Sequence, residues 1–380
     1  MIRSNKPTLL IISFSDISSD ARVLKQVKMF KDAYCVTTAS FGKAPEGVAN
    51  HIEIPVGNTL QTVNGRYILA KQFRLAYWRI PTVNKAWQLL KKERGKFDIV
   101  LSNDLDAAPI GLRLKPRLGV HADLHEYYPA LHEENASWVK FRQPWINWLI
   151  RHYVAKANSV STVSHGLQKA YSDNFMLSPI YVPNATPYAD LQVQEVSSPI
   201  KLVHSGAALR NRKLEIMLDA VKSASCDVTF DLYLTPNDPF YLSELREQYS
   251  SNRIIFHDPV PYSKLIPTLN CYDMGIHILA PINFNNEWAL PNKIFDYTQA
   301  RLGVIIGPSP EMKNLIDRCH NGVVADSFSA ISLRETIESL NTAEVTRMKE
   351  ASNRVARELS AEEQVLGWTQ AIDAIAKSGR

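Results

Sequence analysis

Short apolar runs alternate with amphipathic stretches along most of the 380-residue chain. Leu9 to Phe14 reads as a buried strand, Ser15 to Asp20 as a polar loop, and Ala21 to about Asp32 as an amphipathic helix. The alternation returns with a helix around Thr82 to Arg94, a strand at Asp98 to Ser102, a helix over Ala107 to Leu114 and a strand at Gly119 to Leu124. A long helix through Trp138 to Lys156 then leads to a strand at Ser159 to Val163, a helix from Ser164 to Asn174, and Ile180 to Val182. A second series begins at Ile200 to His204 and continues with strands near Thr229 to Leu234, Ile254 to Phe256, Met274 to Ile278 and Val304 to Ile306. Strands that alternate with helices predict parallel sheets, so the fold class is α/β with two Rossmann-like domains. Asp190 to Pro199 is polar and weakly patterned, which sets the expected domains at 1–190 and 191–360, with a last helix in 361–380.

Composition agrees with two cores: 45% of residues are apolar, and the length suffices for two domains. The net charge of +5 is mild for a nucleic-acid binder, and no nucleic acid is expected as a partner. Cations do gather between Gly65 and Lys96, where Arg66, Lys71, Arg74, Arg79, Lys85, Lys91, Lys92, Arg94 and Lys96 face a lone Glu93 and interleave with Tyr67, Phe73, Tyr77, Trp78 and Trp87. Such a segment suits contact with an anionic membrane, and it suits equally two solvated amphipathic helices with core aromatics. Cys35, Cys226, Cys271 and Cys319 are far apart in sequence and form no C-x-x-C pair, so they read as reduced thiols and no metal site is expected. The run Leu9 to Ser13 is too short for a signal-peptide core, and no run reaches the roughly 18 to 20 apolar residues of a membrane span. The expected location is cytoplasmic, with peripheral attachment at the inner face of the cell membrane as an extension of that reading.

Candidate chemistry is sought just after each strand, because ligands of open parallel sheets bind beyond the strands' carboxyl ends. Ser13 to Asp20 offers hydroxyls and carboxylates but no G-x-G-x-x-G, which weighs against a dinucleotide oxidoreductase; capping of the next helix by Ser19 or Asp20 accounts for much of it. Asp104-Leu105-Asp106 has the D-x-D form used to hold a diphosphate through a divalent ion, a match that also arises by chance. His125 and Glu126 close a strand, where a histidine can donate to a substrate hydroxyl or serve only the structure. In Ser205 to Glu215, Arg210, Arg212 and Lys213 sit on a tight strand-to-helix turn after Gly206, a combination suited to phosphate. In Leu290 to Gly307, Pro291 pre-sets a first helical turn, Gly303 ends the helix, and a strand follows. The N-terminus of that helix, with Lys293, attracts phosphate, and Asp296 can accept hydrogen bonds from a sugar or ribose hydroxyl. Glu311 opens a further helix, where stabilisation of its N-terminus explains a carboxylate.

Taken in order, these segments resemble the family 4-like glycosyltransferases of the GT-B fold. Asp20-Ala21-Arg22-Val23 is similar to their D-x-R-V step, Asn103 and Asp104 to an H-x-x-D step, and Asp123 to Pro129 to D-x-H-E-x-x-P. Gly206, Arg212, Leu214 and Glu215 follow G-x-L-x-x-x-R-G-L-E, and Pro291 to Tyr297 follows P-x-K-x-x-E-Y. The chain departs from the pattern at Ala207, where many relatives carry arginine, at Lys213 in place of a second glycine, at Asp296 in place of glutamate, and at Trp288 eight positions before it. A shifted loop would bring Glu287 to the donor sugar instead.

The resemblance implies two domains facing a cleft, a last helix crossing back to the first domain, and a retaining, metal-independent hexosyltransferase. Such an enzyme moves sugar from a UDP- or GDP-linked donor to a glycan or lipid-linked glycan, in cell-surface polysaccharide or glycolipid synthesis. No cofactor is implied beyond the nucleotide-sugar substrate. His125 and Glu287 are the implied catalytic residues. Gly206, Arg210, Arg212, Lys213 and Lys293 would bind the diphosphate and Asp296 the ribose. Asp20, Arg22, Asn103, Asp104 and Glu126 would line the acceptor side. Three other readings stay open: a non-catalytic nucleotide-sugar-binding module, to which Trp288 and Ala207 point; a nucleotide-sugar 2-epimerase, for which no acid and base pair is evident; and a DNA-modifying glycosyltransferase using the basic segment.

Overall fold

The computed structural model describes residues 6–378. The chain forms two compact units, one comprising the chain up to Pro183, Asn283–Asn285 and the chain from Val365 onward, the other Asn184–Ile282 and Asn286–Gln364. In the first, β1 (Thr8–Asp16), β2 (Cys35–Phe41), β3 (Asn50–Glu53), β4 (Ile99–Asn103), β5 (Gly119–Leu124), β6 (Ser159–Thr162) and β7 (Ile180–Tyr181) form a parallel sheet in the order β3-β2-β1-β4-β5-β6-β7. In the second, β8 (Ile200–Ala207), β9 (Val228–Thr235), β10 (Ile254–His257), β11 (Met274–His277), β12 (Gly303–Ile306) and β13 (Gly322–Val324) run parallel in the order β10-β9-β8-β11-β12-β13. Strands such as Leu9 to Ile12 and Val304 to Ile306 are apolar throughout because helices cover both faces of the sheet. Strand order reverses between β1 and β4 in one sheet and between β8 and β11 in the other. Loops diverge at such switch points and leave a crevice beyond the strand ends.

Several expected elements differ, each for an identifiable reason. The helix read through Trp138 to Lys156 is two helices, Ala136–Phe141 and Gln143–His152, because Pro144 cannot donate to the preceding turn. The helix read from Ala107 begins at Asp104, with Asn103 at its N-cap. The helix carrying Lys293 runs Asn292–Gln299, with Pro291 just outside it as N-cap. Gly303 does not end that helix: Arg301 makes the left-handed turn at φ +62°, its guanidinium held by the Gln299 and Ala189 carbonyls at 2.6 and 2.7 Å. Gly303 instead opens β12, where a Cβ would lie 2.2 Å from Met274 Sδ.

The passage between units falls after Pro183 rather than within Asp190 to Pro199. Thr186 Oγ1 donates to Asp296 at 2.5 Å and the Ala189 amide to Gln299 at 3.0 Å, which tie this stretch to the second unit. The last helical region is also split. Ala361–Gln364 belongs to the second unit and Leu366–Ser378 to the first, where Trp368 is buried and stacks under the Arg22 guanidinium, 4.6 Å away.

Candidate functional site

In the first unit, the ends of β4 and β5 assemble a charged network. Asp104 has φ +67°, a left-handed backbone that aspartate tolerates and that costs on the order of 1 kcal/mol. That turn lets one Asp104 oxygen accept the His125 amide at 3.0 Å while the other sits 3.0 Å from His125 Nδ1. His125 Nε2 lies 3.3 Å from Asp123 Oδ2. Behind it, fully buried Asp123 accepts from Arg22 Nε at 2.8 Å, Arg22 Nη2 at 2.7 Å, Ser161 Oγ at 2.6 Å and Gln26 Nε2 at 2.8 Å. Gln26 exchanges two hydrogen bonds with Asn103, at 2.8 and 2.9 Å.

Burial alone would lower the pKa of His125, but Asp104, aided by Asp123, raises it to about 10, so the ring is an imidazolium at neutral pH. Burial likewise opposes ionisation of Asp104 and Asp123, and it is outweighed by His125 for the first and by Arg22 and His125 for the second; both carboxyls lie below their ordinary range. Asp106 moves the other way, to about 6, because burial and the Asp104 charge disfavour a second anion. Both His125 nitrogens are thus committed to carboxylates. The ring holds Asp104 in place and adds positive charge, while Asp104 and Asp106 supply acceptors.

These groups open onto a cavity of about 770 Å³ in the first unit, lined by Asp104, Asp106, His125, Glu126, Trp138 and Arg142 among others. Aromatic faces beside carboxylates suit a ring that carries hydroxyl groups. Arg142 is turned away from this role, its guanidinium donating to the Leu60 and Gln61 carbonyls at 3.0 and 3.2 Å. Of the five acceptor-side candidates, Asp104 and Glu126 line the cavity and Asp20, Arg22 and Asn103 do not. Asp20 caps the helix Ala21–Phe30, accepting from the Arg22 and Val23 amides at 3.1 and 3.0 Å. Arg22 and Asn103 are buried in the network beneath. Asp106 and Thr59 were missed as cavity-lining residues, although Asp106 was visible in the D-x-D pair, and Asp123 was read as part of a motif but given no role; Thr59 Oγ1 donates to the Asp106 carboxylate.

In the second unit, His204 and Gly206 on β8 and Gly275 and His277 on β11 flank the switch point. A Cβ on Gly206 would lie 2.8 Å from Lys293 Cε, 3.1 Å from its Nζ and 3.2 Å from His204 Nε2. Gly275 similarly makes room for the Tyr297 ring, which a Cβ would meet at 2.3 Å. Tyr297 Oη donates to the Ile276 carbonyl at 3.1 Å, and His204 Nδ1 donates to the same oxygen at 2.8 Å. The first turn of the Asn292–Gln299 helix is thereby seated over the sheet, with Lys293 against bare backbone. Burial, with Arg212 in the same direction and Asp296 against it, lowers the Lys293 pKa. Burial also drives His204 down to about 3, with Lys293 adding to the effect, and His277 well below its ordinary value. An ammonium at a helix N-terminus, with the Arg212 charge near enough to act on it, suits a phosphate-like anion.

The other donor-side candidates are dispersed. Arg212 and Lys213 are exposed on the turn before the Glu215–Ser223 helix, Lys213 with φ +48°. Arg210 is directed to Glu244 at 2.8 Å and Asp238 at 3.5 Å and lies over Tyr241, outside the group around Lys293. Asp296 is buried and receives the Thr186 hydroxyl. Glu287 ends the short helix Phe284–Glu287, and its carbonyl accepts from Ser309 Oγ at 2.9 Å. His204 and His277 were missed; the available signal was a histidine in each of two largely apolar strands, inside β8 and at the end of β11.

Among the described residues, no group of three or more His, Cys, Asp or Glu is arranged to hold a metal ion, and no helix is long and apolar enough to cross a membrane. The four cysteines are free thiols. In the basic segment Tyr77 is buried, Trp78 packs edge-on to Trp87, and Arg113 lies over both indoles at 4.3 and 4.2 Å.

No protein-family model matches the chain, and no curated protein matches its sequence. Solved structures do match over nearly the full length. Anabaena HepE in complex with UDP and glucose is 14% identical, with a TM-score of 0.70, covering 97% of this chain and 100% of that one. Sucrose-phosphate synthase from Thermosynechococcus elongatus is 13% identical, with a TM-score of 0.72 and coverage of 98% and 100%. An alpha,alpha-trehalose-phosphate synthase (UDP-forming) from Burkholderia vietnamiensis is 9% identical, with a TM-score of 0.71 and coverage of 98% and 99%. Two parallel α/β units together with this likeness establish that the chain has the GT-B fold of these glycosyltransferases.

Proposed function

We propose that the protein is a glycosyltransferase that moves a hexose from a nucleotide-diphosphate sugar to an acceptor hydroxyl, without a metal and with retention of anomeric configuration. The observation that carries this reading is the seating of Lys293 against Gly206 at the N-terminus of the Asn292–Gln299 helix. That point sits at the β8/β11 switch, where an anionic ligand is expected in such a sheet. The likeness to HepE, whose structures hold UDP and UDP-glucose, supports a uridine donor. The second unit would hold the donor. Lys293 and Arg212, with Lys213 nearby, would stabilise the charge that develops on the departing diphosphate. Asp296 would hold the ribose by exchanging its bond to Thr186, and Glu287 would approach the donor sugar.

The first unit would hold the acceptor in its cavity of about 770 Å³. Asp104, Asp106 and Glu126 there accept hydrogen bonds and would repel a phosphate, so an unphosphorylated glycan, free or lipid-linked, fits the lining better than a sugar phosphate. His125 would act by fixing Asp104 and by its charge. Synthesis of cell-surface polysaccharide or glycolipid, in the cytoplasm and at an anionic membrane face, agrees with the exposed cations Arg66, Lys71, Arg74 and Arg79.

The test is incubation of purified protein with radiolabelled UDP-glucose and GDP-mannose, in EDTA, together with a panel of neutral oligosaccharides and undecaprenyl-linked glycans. Transfer from one donor supports the proposal, and its NMR-determined anomer decides retention. A second reading, a nucleotide-sugar-binding protein without turnover, is favoured by one observation: both His125 nitrogens are occupied by carboxylates. Tight donor binding with neither transfer nor donor hydrolysis would establish that reading instead.

A further inference from the structure

His277 is the least explained polar group of the second unit. It ends β11, is 95% buried by its 5% exposure, and neither ring nitrogen has a hydrogen-bond partner among the described residues. A buried imidazole without a partner forgoes the hydrogen bonds that such groups ordinarily make. Its surroundings are cationic or neutral. Lys293 from the Asn292–Gln299 helix, Arg212 from the turn after β8 and His204 from β8 act on it, and Tyr297 packs alongside on Gly275. The His204 ring lies nearly parallel to it, at 12° and 5.9 Å between centroids.

The two histidines are not equivalent. His204 Nδ1 donates to the Ile276 carbonyl, which fixes the other nitrogen as an acceptor, and that nitrogen is beside Lys293. Burial, with Lys293 adding to it, holds His204 as the neutral ring in which that assignment applies. His277 has both nitrogens uncommitted, and the cations Lys293 and Arg212 that act on it outnumber the Asp296 carboxylate that acts on Lys293.

We propose that His277 is a further ligand of the anion seated between Gly206 and Lys293, and that it takes up a proton from solvent as that anion binds. The inference rests on the diphosphate-binding reading of this site. Burial keeps His277 neutral, with Lys293 and Arg212 adding to the effect; an anion beside those two cations removes their share, and the new N–H gains an acceptor in the anion's oxygens. No covalent bond changes; one proton moves from solvent to His277. Donor affinity then falls as pH rises through the pKa that His277 has in the complex, with a slope equal to the protons taken up.

Calorimetry of the full chain at about pH 6, in two buffers of different ionisation enthalpy, measures that number directly. The probes are UDP-glucose, GDP-mannose and ADP-glucose, whose diphosphate diesters do not titrate near neutrality. The expected result is uptake of about one proton by the wild type, none by His277→Asn, and retained uptake by His204→Asn. Binding of any probe by the wild type without proton uptake overturns the role of His277 and leaves the diphosphate reading intact. Undiminished uptake by His277→Asn also overturns it. Failure of every probe to bind overturns the diphosphate reading itself, and the inference with it. Absence of uptake in the wild type overturns the role without any variant, and His277→Gln gives the same reading where His277→Asn fails to fold.

Discussion

Lys293 occupies the space that a side chain at position 206 would take: a Gly206 Cβ would come within 2.8 Å of Lys293 Cε. The glycine is thus required by packing of a specific cation rather than by backbone conformation. Because the clash is with the far end of a flexible side chain, Gly206→Ala should fold with a melting temperature near that of the wild type. Its nucleoside diphosphate affinity should fall at least about tenfold, through displacement of a charge-assisted contact. Thermal denaturation beside calorimetric titration checks both; retained affinity would mean Lys293 is not a ligand.

Gly275→Ala should behave differently. Its Cβ would meet three atoms of the Tyr297 ring at 2.3 to 2.6 Å, and the ring is buried and cannot move aside. The expected loss of stability is about 1 to 3 kcal/mol, measured by chemical denaturation, with donor binding impaired as the helix shifts.

Asp123 compensates the Arg22 guanidinium inside the first unit. Asp123→Asn leaves that cation buried without its counter-charge, and a loss of about 3 kcal/mol or more is expected. Equilibrium unfolding that matched the wild type would show that Arg22 reaches water or another carboxylate.

The paired charges also fix a pH dependence. His125 has its pKa raised to about 10, so its contribution to stability is complete below the unfolded value of about 6.5 and is lost as pH rises toward 10. The depressed Asp104 and Asp123 work in the opposite sense, contributing above the unfolded value of about 4 and losing that contribution as pH falls. Unfolding free energies measured across the alkaline window should decline in the wild type and stay flatter in His125→Asn. The same variant should lose sugar transfer while binding donor normally.

Among the cations of the β8 turn, Arg210 and Arg212 should separate. Arg210 is held by Glu244 and Asp238, whereas Arg212 influences Lys293, His204 and His277. Arg212→Ala should weaken donor binding strongly and Arg210→Ala little, with calorimetric affinities as the comparison; equal losses would contradict this division.

What the sequence disclosed follows from what each feature depends on. β1 and β12 were legible because strands covered on both faces are apolar runs, whereas β2 conceals buried Thr37, Thr38 and Ser40, and β3 and β13 are short. Asp123 and His125 lie two positions apart, so a local motif held them together. Their partners Arg22 and Ser161 are 101 and 38 residues from Asp123 in the chain, and only strand order brings them there. His204 and His277 meet for the same reason, because β8 and β11 are neighbours in the sheet though not in sequence. Arg301 misled the reading of the helix end, since its left-handed turn is maintained by four hydrogen bonds to distant and local groups rather than by glycine.

The proposed function requires a metal-independent site for a nucleoside diphosphate around Lys293. Calorimetric titration of the wild type and Lys293→Ala with UDP, GDP, ADP and their sugar conjugates, first in EDTA and then with magnesium, tests it most directly. One diphosphate is expected to bind the wild type equally with and without magnesium, and Lys293→Ala, still folded, is expected to lose that binding. Binding that requires magnesium, or that survives in Lys293→Ala, would contradict it.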